Sequence, residues 1–411
     1  MMIGRLFRLF VWLSSMLVVV AAIAAFIYRA ELIRLYNVNT LFDENRIVSN
    51  FSSMSTMFHH KLVTRKADTV EWQVDPRDLA TEYRFDGQAK SLQGWLDGTR
   101  TTSLLVIQDG KIVSENYYLG TGADDLRISW SMAKSFASAI FGIVMKDGAI
   151  KNLDDAVSDY VPTLKGTVYE GVRIRNVLNM ASGVRFNEDY LDYDSDINRM
   201  GRILALGGSM DAFAAGLEAR EREQGKLRQY TSIDTHILAM VLRQVTGKSL
   251  DQLFDELIWQ KIGPQGDAIY LTDGEGVAFA LGGLNMRTRD YARFGQMMLD
   301  LGRFNGQQVV PIPWAIESVK ASAPVASNSS DHFGYGYQWW VPPGATEEFS
   351  AMGIYGQYMY VNRLSRTVIV KTSAHKGFRN DGEAGNRIKA ETIATFRAIA
   401  SGLSGWRNPE E

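Results

Sequence analysis

The stretch "ISWSMAKSFASAIFGIVMKDG", residues 128–148, sets Ser131 three positions ahead of Lys134 at the mouth of an apolar run. Phe136, Ala139, Ile140, Ile143 and Val144 recur at steps of three and one, the apolar stripe of a buried helix, and Gly148 supplies its stop. A lysine in such a segment costs free energy unless its amine has a use. Residues three apart share a helix face, so the Lys134 amine can reach the Ser131 hydroxyl. Serine needs a base to attack a carbonyl, and a lysine serves only where desolvation or nearby positive charge keeps it neutral near pH 7. A helix start also aims backbone N–H groups at an incoming carbonyl oxygen. By itself the pair also fits an N-capping serine and a snorkelling lysine, so the rest of the chain decides. Ser373-Ala374-His375-Lys376 repeats the spacing, but it follows a strand pattern and runs into Gly377, which reads as a surface turn.

Before this helix, Leu104–Gln108 and Lys111–Tyr118 read as strands joined by Asp109-Gly110, a dipeptide suited to a tight hairpin. After it, Ile233–Val245 ends at Gly247, and Arg289–Leu301 has Thr288 as its expected N-cap and Gly302 beyond its end. Gln357–Asn362 and Thr367–Thr372 are rich in Val, Ile and Tyr and read as adjacent strands, with a last helix over roughly 382–400. Strands early, helices in the middle and strands late predict an α+β fold: a sheet assembled from both chain ends, flanked by helices, with a helical lobe inserted.

At the N-terminus, Leu9 to Tyr28 carries no charge over twenty residues and is bracketed by Arg5, Arg8 and Arg29. That length spans a bilayer. A cleaved signal peptide is the rival, with Ala22-Ile23-Ala24 as its cleavage site, but its apolar region would be longer than usual. The division expected is 1–28 as a membrane anchor or signal, 29–74 as a membrane-proximal connector that shows no sustained period and lies against the body, and 75–411 as one catalytic domain. Arginine counting does not orient the helix, since Arg29, Arg34 and Arg46 balance Arg5 and Arg8. The short tail before it points to export of the large C-terminal part, to the periplasmic side of a bacterial inner membrane.

The 411-residue chain has 46% hydrophobic and 22% charged residues, ordinary globular usage. A net charge of −2 without a basic run argues against nucleic acid as a partner. No cysteine is present, which excludes disulfides, thiolate catalysis and cysteine-ligated metals. Five scattered histidines form no HExxH motif, so neither a metal nor a cofactor is expected.

From about residue 85 to 400 the chain resembles the serine β-lactamase-like hydrolases: class C β-lactamases, D-alanyl-peptide carboxypeptidases, related esterases and 6-aminohexanoate-dimer hydrolase. The matching stretches are "SWSMAKSF", "LDDAVSDYVPTLKG", "VRIRNVLNMASGV", "RQYTSIDTHILAMVLRQVTG", "ALGGLNMRTRDYARFGQMMLDLGRFNG", "GYGYQWW" and "FSAMGIYGQYMYV". The resemblance implies Ser131 as nucleophile, Lys134 as its partner and Tyr230 as the second-motif tyrosine that shuttles the proton. It implies that the backbone N–H groups of Ser131 and Ile354 form an oxyanion hole. Ser232 takes the third place of the second motif, where class C enzymes have asparagine and aminohexanoate hydrolases have serine. The third motif, Lys-Thr-Gly or His-Thr-Gly in the family, reads Ala351-Met352-Gly353 here. The missing lysine removes a charge-assisted contact to a substrate carboxylate.

The expected function is therefore hydrolysis of carboxylic esters or small linear amides, with a β-lactamase or D-alanyl-peptide carboxypeptidase as the near alternative and a non-catalytic envelope binding or sensor module as the distant one. Asp196, in the acidic stretch "RFNEDYLDYDSDIN", Trp339 of the pair Trp339-Trp340, His375 and Gly353 complete the expected substrate-binding residues.

Overall fold

A computed structural model describes residues 2–325, 332–344, 346–378 and 382–407. Hairpin formation around Asp109-Gly110 starts the main sheet: both turn residues have positive φ, 49° and 75°, as the tight turn requires. Thr101–Gln108 and Lys111–Tyr117 pair antiparallel from this turn. On its other side Thr101–Gln108 takes Thr367–Ser373, with Val370 opposite Leu105, so the chain ends meet inside one sheet as the sequence predicts. Gln357–Asn362 and Glu348–Gly353 continue the antiparallel order outward. Two short strands and the parallel Gln73–Val74 edge complete eight strands.

The central strands are buried on both faces, so helices must cover each. Thr288–Leu299 lies across one face. Gly382–Ser404 packs on the other, where Phe396 meets Tyr358, Tyr360 and Trp95. Arg287, not Thr288, is the N-cap of the first of these helices; the Thr288 hydroxyl instead bonds that of Ser103 at 2.9 Å, tying helix to sheet. The helical lobe is built around Ala133–Lys146, which packs against Ile233–Thr246 and Leu250–Leu257.

Residues 29–74 lie against the body throughout. His60–Val63 pairs with Ala268–Leu271 in a second, four-stranded sheet that also contains Leu284–Met286 and Arg127–Ile128, immediately before Ser131. The helix Arg29–Asn39 packs on Asp196–Leu206. Ahead of it runs one helix long and apolar enough to cross a membrane, Gly4–Ile27, with no part buried by the rest of the chain.

Candidate active site

Ser131 sits in a single 3-10 turn, Trp130–Met132, that leads directly into the Ala133–Lys146 helix. Trp130, the residue before it, has φ of 42°, a left-handed conformation costly for a bulky side chain. Such strain, of order 1–3 kcal/mol, persists only where surroundings over-determine it. Tyr355, just after Ile354, is strained likewise at φ 63°. An aromatic cluster holds both: Phe42 stacks on Tyr355 at 4.6 Å, Phe51 meets Trp130 at 5.5 Å, and the Trp130 and Tyr355 rings lie 6.3 Å apart. Phe42 and Phe51 come from the 29–74 segment, expected as a connector lying against the body but not as part of the site.

Gly353 explains how the last strand of the site reaches the Ser131 turn. A Cβ there would stand 2.6 Å from the Ser129 carbonyl oxygen and 3.1 Å from the Ser131 nitrogen. Only a glycine permits this approach, which brings the following residue, Ile354, beside the Ser131 backbone. Ile354 and Ser131 line the same cleft.

Lys134 is 1% exposed. Its ammonium nitrogen donates to Ser232 Oγ at 3.2 Å and to the Leu281 carbonyl at 3.1 Å. Desolvation pulls its pKa down to about 7, against the opposing pull of Glu188 and Asp234. The Tyr230 phenol bonds the hydroxyls of Ser131 and Ser232, which favours its ionised form, but burial and the Glu188 charge push its pKa up overall. Its ring lies 5.4 Å below the Lys134 nitrogen and stacks on Trp340 at 5.5 Å with planes 22° apart. Ser131, Tyr230, Ser232 and Lys134 thus form a continuous set. Among the described residues the amine donates to Ser232 and Leu281, so its link to Ser131 runs through the hydroxyls of Ser232 and Tyr230.

The remaining expected residues divide. Trp339 is fully buried in the core, parallel to Phe294 and edge-on to Phe349, and lines neither the cleft that holds Ser131 nor the one beside it; its neighbour Trp340 faces Tyr230 instead. His375 lies beyond the Thr367–Ser373 strand and lines a separate cleft with Tyr83 and Trp95. Asp196 lines the polar cleft next to Tyr230, where it accepts from the Asn187 amide at 2.8 Å and from Arg199 at 3.2 Å. It therefore holds its own loop together. The carboxylate that reaches the site is Glu188, which accepts from the Ser232 amide and, at 3.2 Å, from the Tyr190 hydroxyl. Burial raises its pKa, opposed by Lys134 and by its bonds to Ser232. Sequence contained Glu188 within the acidic stretch but offered no spacing that singles it out.

Among the described residues no group of three or more His, Asp or Glu side chains is placed to hold a metal. The profile of the beta-lactamase family matches residues 92–393. The chain is 31% identical over 320 residues to the 6-aminohexanoate-dimer hydrolase of Paenarthrobacter ureafaciens, covering 73% of this chain and 81% of that relative. A solved Bacillus anthracis structure described as a candidate 6-aminohexanoate-dimer hydrolase superposes with a TM-score of 0.79 at 24% identity, over 90% of this chain and 97% of its own. A penicillin-binding protein from Bacillus halodurans shares the fold with a TM-score of 0.57 at 14% identity, over 74% of this chain and 99% of that one. With a family match across most of its length and a buried lysine behind a serine at a helix mouth, the chain belongs to the beta-lactamase family and is a serine hydrolase of the group that includes 6-aminohexanoate-dimer hydrolase.

Proposed function

We propose that the protein hydrolyses carboxylic esters or small linear amides through an acyl-enzyme on Ser131. The observation that carries this reading is the buried Lys134 amine, held near pKa 7 and connected through Ser232 and Tyr230 to Ser131. A neutral amine there accepts the proton that Ser131 loses as Oγ bonds the substrate carbonyl carbon. Tyr230, with its pKa raised by burial, begins the cycle protonated and passes the proton between Ser131 and the leaving group. The Ser131 and Ile354 amides stabilise the oxyanion of the tetrahedral intermediate. Collapse expels an alcohol or amine, and water then cleaves the acyl-serine.

A β-lactam or D-alanyl-peptide substrate is disfavoured by Ala351, which lies on the strand flanking the site where a cation would hold the substrate carboxylate. Residues 75–411 are the hydrolase domain in this reading, 29–74 the connector that also buttresses the site, and 1–28 the anchor that keeps the domain on the exported face of a membrane. The relative named 6-aminohexanoate-dimer hydrolase supports a small amide as one substrate. Two experiments test the reading. A fluorophosphonate should add one adduct to the wild-type protein by intact mass and none to Ser131→Ala. A short p-nitrophenyl ester should be turned over faster than a chromogenic cephalosporin; the reverse order defeats the substrate assignment.

A further inference from the structure

Two unlike clefts adjoin at Phe42, Tyr190, Ile354 and Tyr355, and Ser131 lines the first of them. One, of about 310 Å³, is walled by Leu41, Phe42, Met200, Leu204, Phe279 and Leu281. It lies at the small end of the range for small-molecule sites. Among the described residues Arg202 is its one charged lining side chain, and that guanidinium lies over the Tyr193 ring at 3.8 Å and donates to the Tyr193 carbonyl. The other cleft, on the Tyr230 side, carries Glu188, Asp189, Asp194 and Asp196. A substrate at Ser131 therefore has an apolar arm in the first cleft, and a group extending past Tyr190 and Ile354 enters the polar one. A charged group in the apolar cleft would be desolvated, and the Arg202 cation there is already engaged by the Tyr193 ring and carbonyl.

The apolar cleft is also built next to the membrane-spanning candidate. The Gly4–Ile27 helix is followed at once by Arg29–Asn39, and Val38, Asn39, Leu41 and Phe42 at its far end form part of the cleft wall. Eleven helical residues separate them by about 16 Å. Leu32 and Ile33 on that helix and Leu191 at the cleft are exposed apolar side chains.

We propose that the acyl arm is an unbranched, medium-length fatty acyl chain, seated in the cleft between the 29–42 segment and the Asp196–Leu206 helix. This rests on Ser131 as nucleophile. The Ser131 Oγ–acyl bond forms as the acyl C–O or C–N bond breaks, the serine proton leaves with the alcohol or amine, and water releases the fatty acid and returns a proton to Ser131. Such a chain reaches the cleft either from solution or from the adjoining bilayer.

The test uses the full chain in phosphatidylcholine nanodiscs with p-nitrophenyl acetate, butyrate, hexanoate, octanoate and decanoate, presented as dissolved monomers in one arm and dispersed in phosphatidylcholine vesicles in the other. The expected kcat/KM rises roughly two- to fourfold for each added methylene until the cleft is full. A rise in the dissolved arm identifies free esters as the source, and a rise confined to the vesicle arm identifies the bilayer; either supports the chain-binding cleft. Gly201, on the Asp196–Leu206 helix, lines the cleft, and a Cβ placed on it meets nothing within 4 Å. Gly201→Phe therefore adds a ring at the cleft wall without backbone strain, and the octanoate-to-acetate ratio should fall by about tenfold or more. A flat or falling series in both arms, or an unmoved ratio in a folded Gly201→Phe protein, overturns the inference. If fluorophosphonate still labels Ser131, that failure belongs to the acyl cleft; if labelling is lost, it belongs to the nucleophile assignment.

Discussion

Phe42 stacks on Tyr355 with ring centroids 4.6 Å apart and planes 25° from parallel, which ties the segment after the apolar helix to the turn that carries the Ile354 amide. Tyr355 needs this support because its φ of 63° is strained. Phe42→Ala removes the ring and lets the turn relax. Turnover should fall by about tenfold or more, since small displacements of a positioning group are expensive, with a stability loss of about 1–3 kcal/mol for the half-buried ring. Ester kinetics beside thermal melts separate the two effects. A folded variant with wild-type kcat would remove the connector from the site.

Lys134 gives the pH dependence its sign. Its pKa is lowered by burial to about 7, so the amine is charged below that pH and neutral above it. A base must be neutral, and kcat/KM should rise with pH through about 7, where an exposed lysine would give a rise near 10. Lys134→Arg cannot reproduce this because guanidinium does not deprotonate in that range. The expected loss is about 100-fold to 10,000-fold, with Arg no better than Ala. Full activity at pH 5 would contradict a neutral lysine base.

Gly353→Ala tests the oxyanion geometry. The new methyl group would meet the Ser129 carbonyl oxygen at 2.6 Å, a backbone atom that cannot swing aside, so strand and nucleophile turn must separate. Losing one donor from an oxyanion hole costs about 100-fold to 1,000-fold in kcat. Overpacking adds about 1–3 kcal/mol of destabilisation. A variant that keeps kcat while losing stability would show that the Ile354 amide does not bind the oxyanion.

The parts legible in sequence are those set by local pattern. The Asp109-Gly110 hairpin, the Ala133–Lys146 helix and the strands Gln357–Asn362 and Thr367–Ser373 follow from turn chemistry and periodicity, and each forms where the residues predict. The spacing of Ser131 and Lys134 picked out the pair at the helix mouth, but not the direct contact expected between them: the amine bonds Ser232 and Leu281 instead. What escaped depends on long-range placement. His60–Val63 finds its partner about two hundred residues away, at Ala268–Leu271, and nothing local announces the pairing. In the pair Trp339-Trp340 a one-residue change of facing decides between core and site, and composition cannot make that choice. Several acids of 188–196 resemble one another in sequence; the fold gives Asp196 the Asn187 amide and gives Glu188 the Ser232 amide.

That division between the two acids yields a last prediction. Glu188 raises the pKa of Lys134 through its charge, while Asp196 bonds only within its loop and to Arg199 among the contacts described. Glu188→Gln keeps an oxygen for the Ser232 amide but removes the charge, so the ammonium form of Lys134 loses a stabilising neighbour and the pKa falls further. The acidic limb of kcat/KM should then move to lower pH, by about one unit. Asp196→Ala instead removes a bond to the Asn187 amide and a negative charge from the first turn of the Asp196–Leu206 helix, at a cost of about 0.5–1 kcal/mol, and should leave the limb where it is. Profiles of both variants from pH 5 to 9 decide the matter: a limb that moves with Asp196→Ala and stays fixed with Glu188→Gln would reverse the roles assigned to the two carboxylates.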